Sequence, residues 1–260
     1  QAKALNWTVG GGAQVVNNSY NVQPFNVYDV SSINATFDPG TEIGDAYQNA
    51  VDNGVIMVWA AGNDSAEQPG LLSALPEFYP QFLDHWVAVA ATNENGTALA
   101  SYSNKCGGAA AYCITAPGGD FINGGGIFST LPGSGVYGTA AGTSMAAPHV
   151  TGGIAVLLEA FGPGTPTNKT PEEIVDLMFA TANKSGIFFD TATFGQGLLD
   201  LEKATRPDTA SLAFAGSGSG ASLVSGTSVN FGPAFGDAGL QALSSLEAGA
   251  EDRFGRVFMI

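Results

Sequence analysis

Gly142-Thr143-Ser144-Met145-Ala146-Ala147-Pro148-His149-Val150, running on into Thr151-Gly152-Gly153-Ile154-Ala155-Val156-Leu157-Leu158, is the stretch whose reading decides the fold. Small and hydroxylated residues open it and an apolar run follows, the pattern of a tight turn feeding a helix buried on nearly every face. Ser144, in the first turn of such a helix, lies where unpaired N–H groups and the positive end of the macrodipole favour negative charge. Gly142 lacks a Cβ, so a substrate carbonyl can come close to the backbone there. Taken alone, Gly-Thr-Ser reads as an ordinary helix N-cap. His149 stands five positions after Ser144. Residues so spaced on a helix point in different directions, whereas a general base must reach the hydroxyl it activates, so His149 reads as structural.

The composition frames that helix. A chain of 260 residues, 45% apolar and 12% charged, has the makings of one main globular domain. It carries 23 acids against 8 bases, with no Lys or Arg between Ala4 and Asn104, which argues against nucleic acid as a partner. No run of 18 apolar residues occurs, so no membrane-spanning helix is expected, and Gln1–Leu5 lacks a signal-peptide core. The start without Met reads as a fragment or a processed product.

Working outward, Gln14–Tyr20 is β-rich and a loop is expected through Pro24 and Pro39. Ile43, Ala46, Tyr47, Ala50 and Val51 recur on one helical face, and Gly54 supplies the stop. Val55–Ala60 and Trp86–Ala91 are apolar without alternation, as in strands buried on both faces of a parallel sheet. His85, just ahead of the second strand, reads as a surface residue. Thr170, Pro171 and Glu173 form a capping box ahead of an apolar face of Ile174, Leu177, Met178 and Ala182. After Asp208 the composition turns to Gly and Ser, with Gly216–Gly220 as a linker and a weakly amphipathic stretch from Asp237 to Phe254.

The nine residues from Gly142 to Val150 resemble the nucleophile signature of the subtilisin-like serine proteases, the subtilases, almost letter for letter. The resemblance makes Ser144 the nucleophile. Ala60-Ala61-Gly62-Asn63 resembles the segment whose asparagine donates to the oxyanion, which assigns that task to Asn63. Asn18-Ser19-Tyr20 and Ala60-Ala61-Gly62 resemble the walls of the main substrate cleft, against which an extended peptide is added as a strand. Small wall residues there suggest room for a large apolar side chain. Phe194–Asp200 matches the closing segment of the family, whose glycines allow a tight pass. The resemblance covers about residues 13–205 and implies a three-layer α/β fold with a mostly parallel central sheet.

It covers, however, only the C-terminal part of a subtilase catalytic domain. In that family the aspartate comes first, the histidine next and the serine last. Here the substrate-strand segment already lies at Val15–Tyr20, no His-Gly-Thr string occurs, and no histidine precedes His85. The acid and base of the triad are therefore expected upstream of Gln1. Residues 1–206 then form the partial catalytic domain and 207–260 a linker or tail. The expected function is serine endopeptidase, with protein or peptide substrates; the other reading is a catalytically dead binding or interaction module on a protease scaffold. The serine region, the loop Gln68–Pro76 and the tail together resemble the autotransporter-type subtilases of Gram-negative bacteria, which implies a secreted or cell-surface protein and a downstream outer-membrane barrel. For Cys106 and Cys113, two separate buried thiols stand against a short-loop disulfide formed in an oxidising compartment; the disulfide is the expectation. Calcium is frequent in the family, yet no Asp/Asn cluster with loop-ligand spacing assigns a site here, and no other cofactor is expected.

Overall fold

The computed structural model describes residues 1–27, 29–208, 211, 213–214 and 249–259. Four parallel strands, β1 (Val15–Asn18), β2 (Ile56–Ala60), β3 (Trp86–Thr92) and β4 (Cys113–Pro117), lie side by side in the order β1-β2-β3-β4. Val15 pairs with Ile56, Met57 with Trp86 and Ala88 with Cys113. Every residue of β2 and β3 is buried, as their unalternating sequences require.

Alternate side chains of these strands feed two cores. Met57, Trp59, Trp86, Ala88 and Ala90 face helices α1 (Ala2–Gly10), α2 (Val30–Phe37) and α3 (Glu42–Asp52). Ile56, Val58, Ala60, Val87, Val89 and Ala91 face α4 (Thr143–Phe161) and α5 (Pro171–Thr181). The result is a three-layer α/β fold. In the first core Trp59 and Trp86 stack with centroids 5.2 Å apart, and Tyr47 meets both edge-on. Such pairs each contribute about 0.5–1.5 kcal/mol beyond area burial.

Two of the helices read from sequence, α3 and α5, start at side-chain caps. Thr41 accepts from Gly44 N at 3.0 Å at the start of α3, whose Ala46, Tyr47, Ala50 and Val51 are buried. At α5 both halves of the Thr170–Glu173 box are made, and Ile174, Leu177, Met178 and Ala182 are buried.

Two expectations need correction, and two helices need placing. The segment between Pro24 and Pro39 is not all loop: α2 forms there because Asp29 accepts from Ser32 N at 2.8 Å while Ile33 and Phe37 bury against α3. An additional helix, α1, precedes β1; only Ala2 and Leu5 on it are buried, too sparse a pattern to stand out. His85 is not on the surface: its side chain is 14% exposed and Nε2 stands 3.3 Å from Glu172 Oε1, because the turn before β3 packs against α5. Finally, α4 is by length and composition apolar enough to cross a membrane. Here it lies across β1, β2, β3 and β4 and packs on α5, so its apolar surface belongs to the second core.

A hairpin, β5 (Ile127–Thr130) with β6 (Tyr137–Ala140), leads into α4. After α6 (Thr191–Phe194), Gly195 passes under β4; a Cβ there would stand 2.2 Å from Cys113 O. Beyond α7 (Leu201–Thr205), the strands β7 (Ala213–Phe214), β8 (Gly249–Glu251) and β9 (Val257–Met259) form a small antiparallel sheet. There the fully buried Arg256 pairs with Asp252 and donates to the α7 carbonyls of Lys203 and Ala204, while Phe258 packs on Phe161. The linker Gly216–Gly220 and most of the stretch 237–254 lie outside the described residues.

Candidate active site

The carboxyl ends of parallel strands are where open α/β sheets gather ligand-binding groups, and the loops after β1 and β2 meet the first turn of α4 there. Pro148 in that helix has no N–H, so the carbonyl of Ser144, four residues back, lacks its ordinary α-helical donor. Ser19, just beyond β1, fills the vacancy: its Oγ donates to Ser144 O at 2.8 Å. In return Ser144 Oγ donates to Ser19 O at 2.9 Å. The proline thus helps fasten the nucleophile turn to the end of β1.

Asn63 follows the buried end of β2 and is itself exposed. Its Oδ1 accepts from Thr143 N and from Thr143 Oγ1, each at 2.9 Å. A backbone N–H can only donate, so this contact fixes which end of the amide faces Thr143 and turns Nδ2 the other way. Thr143 Oγ1 also accepts from Gly62 N at 3.1 Å, which ties the β2 loop to the helix start. Ser144 N has no acceptor among the described residues, as expected for an N–H in the first helical turn. A Cβ built on Gly142 would lie 3.6 Å from Asn63 Nδ2 and 3.6 Å from Ser144 N. Two donor nitrogens therefore lie within 3.6 Å of the point where a side chain on Gly142 would begin, a place that glycine leaves open.

A second layer holds these parts. Gly142 N donates to Gly118 O at 3.0 Å, and Tyr102 donates its hydroxyl to Gly118 O at 3.0 Å and Gly119 O at 2.6 Å. Burial pushes the Tyr102 hydroxyl up to about 12, so it remains a donor. Asp120, 1% exposed, accepts from Ser101 N and Oγ, Ile122 N and Asn123 Nδ2. Burial alone would raise its carboxyl, but these bonds outweigh that and hold it at about 2. Asn104 Oδ1 accepts from Asp64 N at 2.8 Å and Ala66 N at 3.0 Å, bracing the loop that carries Asn63.

The two stretches read as cleft walls stand on either side of this start. Asn18 is buried and Tyr20 half-exposed, its ring edge-on to Trp59 with its hydroxyl on Asn18 Oδ1 at 3.0 Å. Ala60, Ala61 and Gly62 are buried, and their carbonyls accept from Asn21 Nδ2, from Gly70 N and Asn104 Nδ2, and from Asn104 N respectively. His149 is exposed, with Nδ1 2.8 Å from Met145 O on its own helix. Cys106 and Cys113 are joined in a disulfide, Cα atoms 5.7 Å apart. Thr143, Asn104 and Asp120 escaped the sequence reading. Only Thr143 carried a signal, as a hydroxyl one residue before the serine.

The subtilase family model matches residues 1–198. The chain belongs to the subtilase family. Serotype-specific antigen 1 of Mannheimia haemolytica is 30% identical over 215 residues, covering 80% of this chain and 22% of that protein. An extracellular serine protease of Serratia marcescens is 31% identical, covering 60% of this chain and 16% of that one. Subtilisin Savinase of Lederbergia lenta is 31% identical over 209 residues, 79% of this chain and 61% of its own length. The chain thus spans about a fifth of the length of the first two relatives. Among solved structures, a prenylagaramide maturation protease matches with a TM-score of 0.60 at 25% identity, over 78% of this chain and 65% of that one. The subtilisin-like fold is therefore present as a partial domain. Among the described residues no three His, Cys, Asp or Glu side chains come together as a metal-binding group.

Proposed function

We propose that this subtilase is a serine endopeptidase that hydrolyses peptide bonds through an acyl-enzyme on Ser144. The observation that carries the reading is that Asn63 Nδ2 and Ser144 N lie within 3.6 Å of the same open point at Gly142, two residues before the Ser144 hydroxyl in the chain. Ser144 Oγ attacks the scissile carbonyl while its proton passes to a general base. The carbonyl oxygen gains charge between the two donors, which are already aimed and need no reorganisation. Collapse expels the amine, protonated by the same base, and water then releases the acyl group.

Neither histidine of residues 1–260 serves as that base. His149 is engaged on its own helix and His85 with Glu172 on α5. The base and its orienting acid are supplied by residues outside this sequence. The open side of β1 suits them: no strand pairs there among the described residues, and Ser19, bonded to Ser144, follows β1 directly. A further parallel strand would bring its carboxyl end beside Ser144. Ser144 Oγ then exchanges its bond to Ser19 O for one to the base.

Substrates are proteins or peptides, bound in extended form between Asn18–Tyr20 and Ala60–Gly62. The disulfide and the extracellular names of the relatives support action outside the cell. Export at a Gram-negative surface ahead of an outer-membrane barrel accords with the likeness to the Mannheimia antigen.

The deciding experiment treats the full-length protein with a peptidyl phosphonate and a peptide substrate. Labelling and turnover that vanish in Ser144→Ala and persist in His149→Ala support the reading. A folded full-length protein with neither labelling nor turnover would replace it with a binding module on the same scaffold.

A further inference from the structure

The segment after the first cleft wall carries an asparagine, Asn21, whose side chain spends all its hydrogen-bonding capacity, mostly across the cleft. Nδ2 donates to Ala60 O in the second wall and to Ser73 Oγ at 2.8 Å. Oδ1 accepts from Leu72 N at 3.1 Å and from its own neighbour Val22 N at 2.8 Å. An amide offers two donors and two acceptor lone pairs, so none is left over. The partners are themselves fixed: Ala60 and Ser73 are buried, Ser73 Oγ donates to Gly70 O at 2.8 Å, and Gly70 N donates to Ala61 O at 2.7 Å.

The amide also lies directly against the backbone of the loop that closes the far end. A Cβ on Gly70 would stand 2.3 Å from Asn21 Cγ and Oδ1 and 2.6 Å from Val22 O. Antiparallel contacts continue on either side, with Leu71 N on Gln23 O at 3.1 Å and Phe25 N on Pro69 O at 3.0 Å. The small residues of the walls, Ser19 and Ala60–Gly62, would by themselves leave a slot for a large side chain. Here the carboxamide bridges the slot and the loop 69–73 seals it.

We propose that Asn21 is a specificity-determining residue, closing the space between the walls so that the side chain preceding the scissile bond must be small, of glycine or alanine size. The inference rests on the proteolytic reading of Ser144 given above. A large apolar side chain would displace the amide and leave Ala60 O and Leu72 N unpaired in a buried setting. The loss is therefore larger than a tight pocket alone imposes.

The test uses the full-length protein and two peptide series that differ only at the residue before the scissile bond, alanine against phenylalanine. The wild type is expected to favour alanine in kcat/KM by at least about 10-fold, with an alanine-type peptidyl phosphonate labelling Ser144 faster than a phenylalanine-type one. Asn21→Gly should move the ratio toward phenylalanine by about 10-fold or more. Should that variant fold poorly, the preference of the wild type alone still decides. Phenylalanine favoured by the wild type, or an unchanged ratio in a folded Asn21→Gly that still hydrolyses peptide, overturns the role of Asn21 and leaves the protease reading standing. No turnover and no labelling with either series overturns both.

Discussion

Replacing Asn63 by Asp separates catalysis from framework at this site. The Oδ1 that accepts from Thr143 N and Thr143 Oγ1 is retained, and only the outward Nδ2 becomes an oxygen. Since Asn63 is exposed, the new carboxylate keeps its hydration and the fold loses little. Transition-state stabilisation loses one of its two donors, a change of about 10²–10³ in kcat or 2.7–4 kcal/mol, a figure that comes from subtilisin itself rather than from this chain. The added negative charge beside the oxyanion makes this a lower bound. Asn63→Ala removes the acceptor as well and leaves Thr143 N, at the buried helix start, unpaired, so about 1–3 kcal/mol of stability goes too. The assay is steady-state hydrolysis by the full-length protein beside urea unfolding of each variant. Asn63→Asp should lower kcat with KM little changed and the midpoint nearly constant, and Asn63→Ala should lower both kcat and the midpoint. A kcat for Asn63→Asp within about tenfold of wild type would refute the assignment of Asn63 as an oxyanion donor.

Ser19→Ala should cost about 1–3 kcal/mol, because Pro148 cannot donate to the Ser144 carbonyl that Ser19 now satisfies. Restoring a donor with Ser19→Thr should recover part of it in the same denaturant titration. Asp120 makes a pH-dependent contribution whose sign follows from its lowered pKa. A carboxyl held at about 2 instead of its ordinary 3.8 stabilises the fold fully above the unfolded value, and the contribution of roughly 2 kcal/mol is lost as pH falls through about 4 toward 2. Asp120→Asn should therefore flatten the stability profile between about pH 5 and 2 relative to wild type. An unchanged acid limb in that variant would show that the Ser101, Ile122 and Asn123 bonds do not select the charged form.

The sequence by itself determined what depends on neighbours along the chain. The 3.6-residue recurrence from Ile43 to Val51, the Thr170–Glu173 box and the unalternating apolar strands around Trp59 and Trp86 each report local geometry and burial, and each matches an element in the structure. The string around Ser144 was legible for a related reason, since nucleophile, turn and helix start lie within one continuous segment. Helix α2 escaped because its evidence is a single cap and two buried side chains, too little periodicity to outweigh the prolines around it. Only the tertiary structure decided the rest. The Ser19–Ser144 pair spans 125 residues of chain and the Asn63–Thr143 pair 80, and no local pattern encodes a hydrogen bond between residues so far apart. Asn21 shows the same limit most sharply. Beside small wall residues its letter suggests only a turn, and that its amide fills the cleft follows from where the sheet places Ala60 and the loop at Gly70.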